Sequence, residues 1–377
     1  MRVTATSFDA GDERDYSFSP SRLKLARELR GLTKQQLADT CGVTRRTVSS
    51  WEAGDTGRPP LRQLADVLQL PIDFFMADDV SAVSKESVSF RALSTMSARQ
   101  VHRVLASATL ACQLSSWMDQ HYDTPDARLP ELNETYLEDP RTAAARVRAT
   151  WNLGHTPIKN MASLLERQGV RLFSLPSTDR EVDAFSFWRE KRPFVFLNTS
   201  KSAERLRFDL AHELGHLILH RGIFTKRDRK YELEAHDFAA NFLVPEDGLR
   251  AQLKGHPTFN DIFILKRYWK VSAIAMTQRL YELRIISEWT RRSWMVDLSQ
   301  RGFRSTEPGG GPAEGSTLLR ELFKMAREDG WGSRKIAQEL KVHEQEVDSL
   351  VFGLAVSAID GGGQSAPAVT GHLRVVK

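Results

Sequence analysis

The sequence predicts a multidomain chain: an all-α N-terminal domain, an α+β domain with a small antiparallel sheet, and a helical C-terminal region. Three observations lead there. At 377 residues the chain leaves room for two or three domains rather than one. Apolar residues recur at helical spacing from residue 20 and again from residue 97, whereas between Val170 and Asn198 they gather in short aromatic and β-branched runs. The positive charge is also uneven: residues 20–70 hold nine Lys and Arg against five Asp and Glu, which is +4 of a formal net charge of +5.

With 41% hydrophobic and 27% charged residues, the composition argues against wholesale disorder. No window approaches the roughly 18 apolar residues of a spanning helix, so no membrane association is expected. The start, MRVTATSFDAGDERDYSFSP, carries acidic residues and no apolar signal core, and a cytoplasmic location follows as the expectation. Cys41 and Cys112 cannot build a disulfide framework and read as small buried hydrophobes.

After a flexible segment 1–19, residues 20–76 read as a helical domain. Thr33 caps a short helix, Lys34 to Thr40, that ends at Cys41 and Gly42. Thr44 caps the next, Arg45 to Ala53, where Val48 and Trp51 form the apolar stripe. Ala38, Val43, Val48, Leu64 and Leu68 are the expected core. Two short helices about a glycine turn form a helix-turn-helix, whose second helix offers its N-terminal residues to the major groove of double-stranded DNA. The segment T-K-Q-Q-L-A-D-T-C-G-V-T-R-R-T-V-S-S-W-E-A-G resembles the phage-repressor (XRE) helix-turn-helix family over its whole length. The resemblance implies that Arg45, Arg46, Thr47 and Ser50 face bases or nearby phosphates of an operator, that Lys34 and Gln35 hold the backbone, and that Thr44 belongs to the same DNA-facing set. A homodimer is expected, because one such motif reads a half-site.

Residues 77–96 are polar and small and read as a linker, and 97–300 as the α+β domain. Ser97 caps a helix running to about His121; two more cover Thr142 to Trp151 and Ile158 to Gln168. Val170–Leu175, Ala184–Trp188 and Pro193–Asn198 are three strands, expected antiparallel. Residues 301–316, including GFRSTEPGGGPAEGS, read as a flexible linker, 317–356 as a helical module and 357–377 as a disordered tail. The module repeats the helix-turn-helix rhythm, but the carboxylates of His343-Glu-Gln-Glu-Val-Asp oppose phosphate, so protein interaction or dimerisation is the better reading.

The chemistry lies in His212-Glu213-Leu214-Gly215-His216. On a helix, residues four apart share a face, so both imidazoles can reach one Zn2+ ion while Glu213 sits beside it as a general base. A third ligand is needed. The next helix, Tyr231 to Val244, offers Glu232 or Glu234, which lie about 200° apart around the axis. Glu232 is preferred because His236, four residues on, can orient a ligand, with Glu234 as the fallback. His220 continues the 212, 216 series but lies about 12 Å from His212 along the axis, too far to share one zinc, and reads as complementing the helix dipole.

R-x-R-F-D-L-A-H-E-L-G-H-L-I-L-H followed by E-x-E-A-x-x-F-A-A-x-F-L-V-P resembles the ImmA/IrrE metallopeptidase family, with the likeness extending over about residues 140 to 305. It implies a zincin-like domain in which His212, His216 and Glu232 bind zinc and Glu213 is the catalytic base, and a partner protein of repressor type as substrate. One departure is His236, where the family usually has Asn. The expected function is therefore a DNA-binding transcriptional regulator with a zinc endopeptidase domain that cleaves a repressor, or itself, on a signal. Two alternatives are a non-catalytic regulator whose peptidase-like domain senses metal or a partner, and the antitoxin of a toxin–antitoxin pair.

Overall fold

The computed structural model describes residues 18–55, 59–88, 96–131, 139–175, 182–221, 229–304 and 306–355. The tail expected at 357–377 and most of the N-terminal segment lie outside them. The chain divides into two compact units, Met1–Ser81 and Ala82–Lys377.

The first unit is all helical: α1 Pro20–Leu29, α2 Lys34–Cys41, α3 Arg45–Ala53, α4 Leu61–Leu68 and α5 Ile72–Phe75. Thr33 closes a capping box with Gln36, and Thr44 accepts from the Thr47 amide, so both central helices start where a side-chain oxygen takes an orphan N–H. Between them Gly42 adopts φ 67°, a conformation that suits glycine. Leu23, Ala26, Leu37, Ala38, Val48, Leu64 and Leu68 form the core, each fully buried, and Trp51 closes its edge. Val43, expected with them, is only half-buried, because it sits in the turn rather than on a helix face. α1 is clamped to α3 by a fork: Arg27 Nε donates to Glu52 Oε1 at 2.5 Å and Nη2 to Oε2 at 3.2 Å, both side chains buried. Cys41 and Cys112 are buried thiols, as expected of small hydrophobes.

The second unit opens on residues 82–88, which are tied in rather than free: the Val83 amide donates to Thr109 Oγ1, and Val88 bridges Phe187. Long helix α6 (Ala98–His121), with its Ser97–Gln100 capping box, is followed by α7 (Pro140–Thr150) and α8 (Met161–Arg167). Then come β1 (Arg171–Ser174), β2 (Ala184–Arg189) and β3 (Arg192–Leu197). The sheet is mixed, not antiparallel: its order is β1-β3-β2, with β3 antiparallel to β2 and parallel to β1. The β2–β3 hairpin sets its second strand in the central slot, so β3 must run with β1. Alternation then divides the faces. Phe173, Phe185, Phe187, Phe194 and Phe196 stack on one side, which also carries Arg171 toward Ser115 of α6. Ser186 and Trp188 point the other way, onto the helix that follows.

That helix is α9 (Ala203–Leu219), and α10 (Arg229–Leu243) packs along it. A Cβ on Gly215 would lie 3.1 Å from Ala235 Cα and 3.2 Å from Ala235 O. Glycine facing alanine therefore lets the two backbones approach more closely than larger side chains allow. The remaining helices are α11 (Glu246–Gln252), α12 (Asp261–Trp269), α13 (Ala273–Glu282), α14 (Glu288–Gln300), α15 (Thr317–Glu328), α16 (Ser333–Glu339) and α17 (Glu344–Val351).

Residues 302–316 are not the flexible linker that their glycines and prolines suggest. Glu307 pairs with Lys266 at 2.6 Å, the Gly311 amide donates to Glu204 Oε1 at 2.9 Å, and Glu314 pairs with the buried Arg207. The strap ends on Glu166 of α8, whose carboxylate accepts from the Ser316 hydroxyl and from the Thr317 and Leu318 amides, capping α15 from outside. Charged partners hold the order that the backbone lacks. α17 likewise packs beside β1 and buries Val347, Leu350 and Val351, so the helical tail is part of the second unit.

Two stability effects follow. Glu52→Ala removes the bidentate partner of the buried Arg27 guanidinium, leaving it Glu28 at 3.5 Å and the Leu32 carbonyl, and is expected to cost the N-terminal unit about 3 kcal/mol, read by chemical denaturation followed on Trp51 fluorescence. Glu166→Ala strips three donors of their acceptor; raised amide exchange at the start of α15, with a loss of about 2 kcal/mol, is the expected result.

Candidate metal centre and nucleic-acid interface

α9 sets His212 and His216 on one face, and the Gly215–Ala235 contact brings α10 close enough for Glu232 to meet them. His212 Nε2 lies 3.1 Å from His216 Nε2; Glu232 Oε2 is 3.3 Å from the first and Oε1 is 3.5 Å from the second. One donor atom from each of the three residues falls within 4.8 Å of the other two. Two imidazole lone pairs and a carboxylate aimed at one point form an N2O donor set that a divalent cation satisfies, and zinc accepts such a set. Burial works against the Glu232 carboxylate, but the two imidazoles outweigh it and hold its carboxyl well below the usual range. Burial pushes His216 down to about 4, favouring the neutral ring that a metal requires, with neighbouring His212 reinforcing the effect. For His212 the desolvation is overcome by the hydrogen bond to Glu232 and by the charges of Glu213 and Asp209, and its pKa is raised.

Glu213 lies beside this set on α9 and is 4% exposed. Ser186 Oγ, on the sheet face opposite the phenylalanines, donates to Glu213 Oε2 at 2.6 Å. Burial lifts the Glu213 carboxyl to about 7, with His212 and Ser186 pulling it back. A carboxyl near neutrality is matched to proton transfer at ordinary pH. Ser186 escaped sequence reasoning; the one available signal was a lone hydroxyl in an aromatic strand. His212, Glu213, His216 and Glu232 line a cavity of 830 Å³, walled also by Phe208, Lys201 and Arg279, and by Phe303, Arg304, Thr306 and Glu307 of the strap.

The neighbouring residues depart from expectation. His220 leaves the helical path as the C-cap of α9, at φ −118°, so its ring meets Glu234 at 3.0 Å instead of serving only the dipole. Two of the three carboxylates of α10 thus reach the histidine row, Glu232 at its centre and Glu234 at its end. His236 is exposed, with its ring 4.9 Å from Phe208, and lines the cavity.

On the first unit, Thr44, Arg45 and Arg46 are exposed at the N-terminus of α3, with Thr47 and Ser50 half-buried on the next turns. Thr47 and Thr44 exchange a hydroxyl hydrogen bond at 2.9 Å. The two residues expected to grip the backbone are engaged internally: Lys34 Nζ is 3.3 Å from Glu52 Oε2, and Gln35 Nε2 donates to Asp39 Oδ1 at 2.7 Å. Arg30 is spent on the Leu68 and Gln69 carbonyls. Part of the local positive charge therefore stabilises the domain, while Arg45 and Arg46 face outward at the start of α3 and Lys24 and Arg62 are exposed elsewhere on the unit.

No helix among the described residues is long and apolar enough to cross a membrane. No curated protein matches the chain. A family model described as helix-turn-helix matches residues 23–75, and one described as IrrE N-terminal-like domain matches residues 165–281. The second interval contains the strands, both histidines, Glu213 and Glu232, and the first contains α1 to α5 almost entire. The chain therefore joins a segment similar to XRE-type DNA-binding helix-turn-helix domains to a segment similar to the IrrE N-terminal-like domain of the ImmA/IrrE metallopeptidases.

Proposed function

We propose that this chain is a cytoplasmic transcriptional regulator that binds operator DNA as a homodimer and cleaves a repressor-type protein, or itself, through a zinc-dependent endopeptidase site. The observation that carries the reading is the convergence of His212, His216 and Glu232 within 4.8 Å, beside a buried Glu213, in a cavity of 830 Å³. That volume suits a short stretch of extended peptide.

His212, His216 and Glu232 would hold the ion. When bound, zinc supplies Lewis acidity toward water and a substrate carbonyl. Glu213 would accept a proton from the attacking water and return it to the departing amine, a role that its buried place beside the donor set suits. Ser186 orients the Glu213 carboxyl through its hydroxyl hydrogen bond to Oε2. Arg45 and Arg46 contribute the outward charge for phosphate or base contacts, and Thr44, Thr47 and Ser50 the adjacent hydroxyls. The internal engagement of Lys34 and Gln35 supports a smaller share for them.

A second reading, regulation by metal or partner binding without turnover, is favoured by the anchored strap along the cavity wall. Three measurements separate the two. Metal analysis of the purified chain should give about one zinc per protein, lost in His212→Ala and in Glu232→Ala; a metal-free wild type under replete conditions sinks the peptidase reading. Glu213→Gln should retain zinc and lose cleavage of the repressor encoded beside it by about 10²-fold or more, whereas intact regulation in that variant selects the second reading. Arg45→Ala combined with Arg46→Ala should weaken operator binding at least about tenfold and lower its dependence on salt, measured by anisotropy across a salt series.

A further inference from the structure

We infer that His220 and Glu234 form a relay that fixes the ring of His216 as a metal ligand, with Glu234 acting on the site without touching the ion. The inference rests on the metal reading above and deepens it.

His216 presents Nε2 to His212 and Glu232, so Nδ1 carries its proton when Nε2 binds a cation. That Nδ1 lies 3.0 Å from His220 Nδ1. The contact is a hydrogen bond only if His220 accepts there, which places the His220 proton on Nε2. His220 Nε2 in turn lies 3.0 Å from Glu234 Oε2, and a carboxylate accepts that proton. Each ring nitrogen in the chain Glu234–His220–His216 therefore has one role, and the roles agree from end to end. The ring of Tyr231 packs edge-on against His220 at 4.8 Å, and Lys230 Nζ stands 3.7 Å from Glu234 Oε1, so the far end is held in place. His216 and His220 have side chains 9% and 8% exposed, which leaves little room for water to substitute for a missing member.

Metal-ligating histidines ordinarily pass their second N–H directly to a carboxylate or carbonyl. Here an extra imidazole is interposed, and the carboxylate comes from the same helix as the third ligand. α10 thus supplies one carboxylate to the metal and a second to the orientation of the opposite ligand. His220 and Glu234 are positioning residues; their effect is to hold the His216 tautomer and raise its basicity.

The test is zinc affinity of the full chain by chelator competition, together with the 15N imidazole spectrum of histidine-labelled, zinc-loaded protein. His220→Ala should lower zinc affinity about tenfold or more, and the nearly isosteric Glu234→Gln by a smaller factor in the same direction, with apo-protein melting unchanged. The wild-type spectrum should show His220 neutral with its proton on Nε2. Zinc bound by the wild type with unchanged affinity in both variants overturns the relay and leaves the metal reading standing, as does a His220 proton on Nδ1. Affinity lost only in step with apo-protein stability also overturns it, since that marks a packing role. Should His220→Ala fail to fold, Glu234→Gln and the spectrum decide alone. A wild type that takes up no zinc defeats the metal reading itself.

Discussion

The second unit depends on how closely α10 can approach α9. Glutamate side chains reach only a few ångströms beyond their backbone, so the distance between two helix axes decides whether Glu232 meets His212 and His216 or falls short. Gly215 and Ala235 set that distance: a methyl group at 215 would press on the Ala235 backbone at 3.1–3.2 Å. Glycine within a helix carries a conformational penalty of about 1 kcal/mol, and here the close crossing offsets it. The residue between the two histidines is thus as much a part of the donor set's geometry as the donors themselves.

The sheet acts on the same site from the other side. Its phenylalanine face packs away from α9, which leaves the opposite face to place Ser186 against Glu213 and Trp188 against the Leu217 carbonyl. One strand thereby fixes both the side chain and the backbone of the histidine-bearing helix. In the first unit a comparable economy of charge operates, since Glu52 receives both Arg27 and Lys34 and locks α1, α2 and α3 together. Such a buried ion pair contributes to a defined arrangement more than to net stability.

What could be read from the residues and what could not divides along the range of the interactions. The helix starts at Thr33, Thr44 and Ser97 depend on side chains three positions away and were legible residue by residue. The His212–His216 spacing was legible for the same reason; the helical angle only set Glu232 and Glu234 apart, and the preference for Glu232 rested on His236 four residues on and on the family resemblance. Strand pairing was not, because nothing in Val170–Asn198 states which strand takes the central slot. The ordered course of 302–316 was also hidden: its composition is that of a linker, and its partners Lys266, Glu204, Arg207 and Glu166 lie far along the chain. His220 read as a continuation of the helix row because its departure from helical φ is a property of the helix end, where a pattern of period 3.6 no longer applies.

The strap has one more consequence. Residues 302–316 possess no helix or strand of their own, so their order rests on side-chain pairs rather than on a cooperative hydrogen-bond ladder. Segments held in this way open at a lower free energy than the elements they cover. One wall of the cavity is therefore set by side-chain pairs that lie outside both ligand-bearing helices, so the shape of the cleft and the integrity of the donor set rest on different residues. Cleft and donors are in this sense governed by different parts of the same unit, the outline of the cleft being drawn in part by residues some ninety positions beyond the histidines.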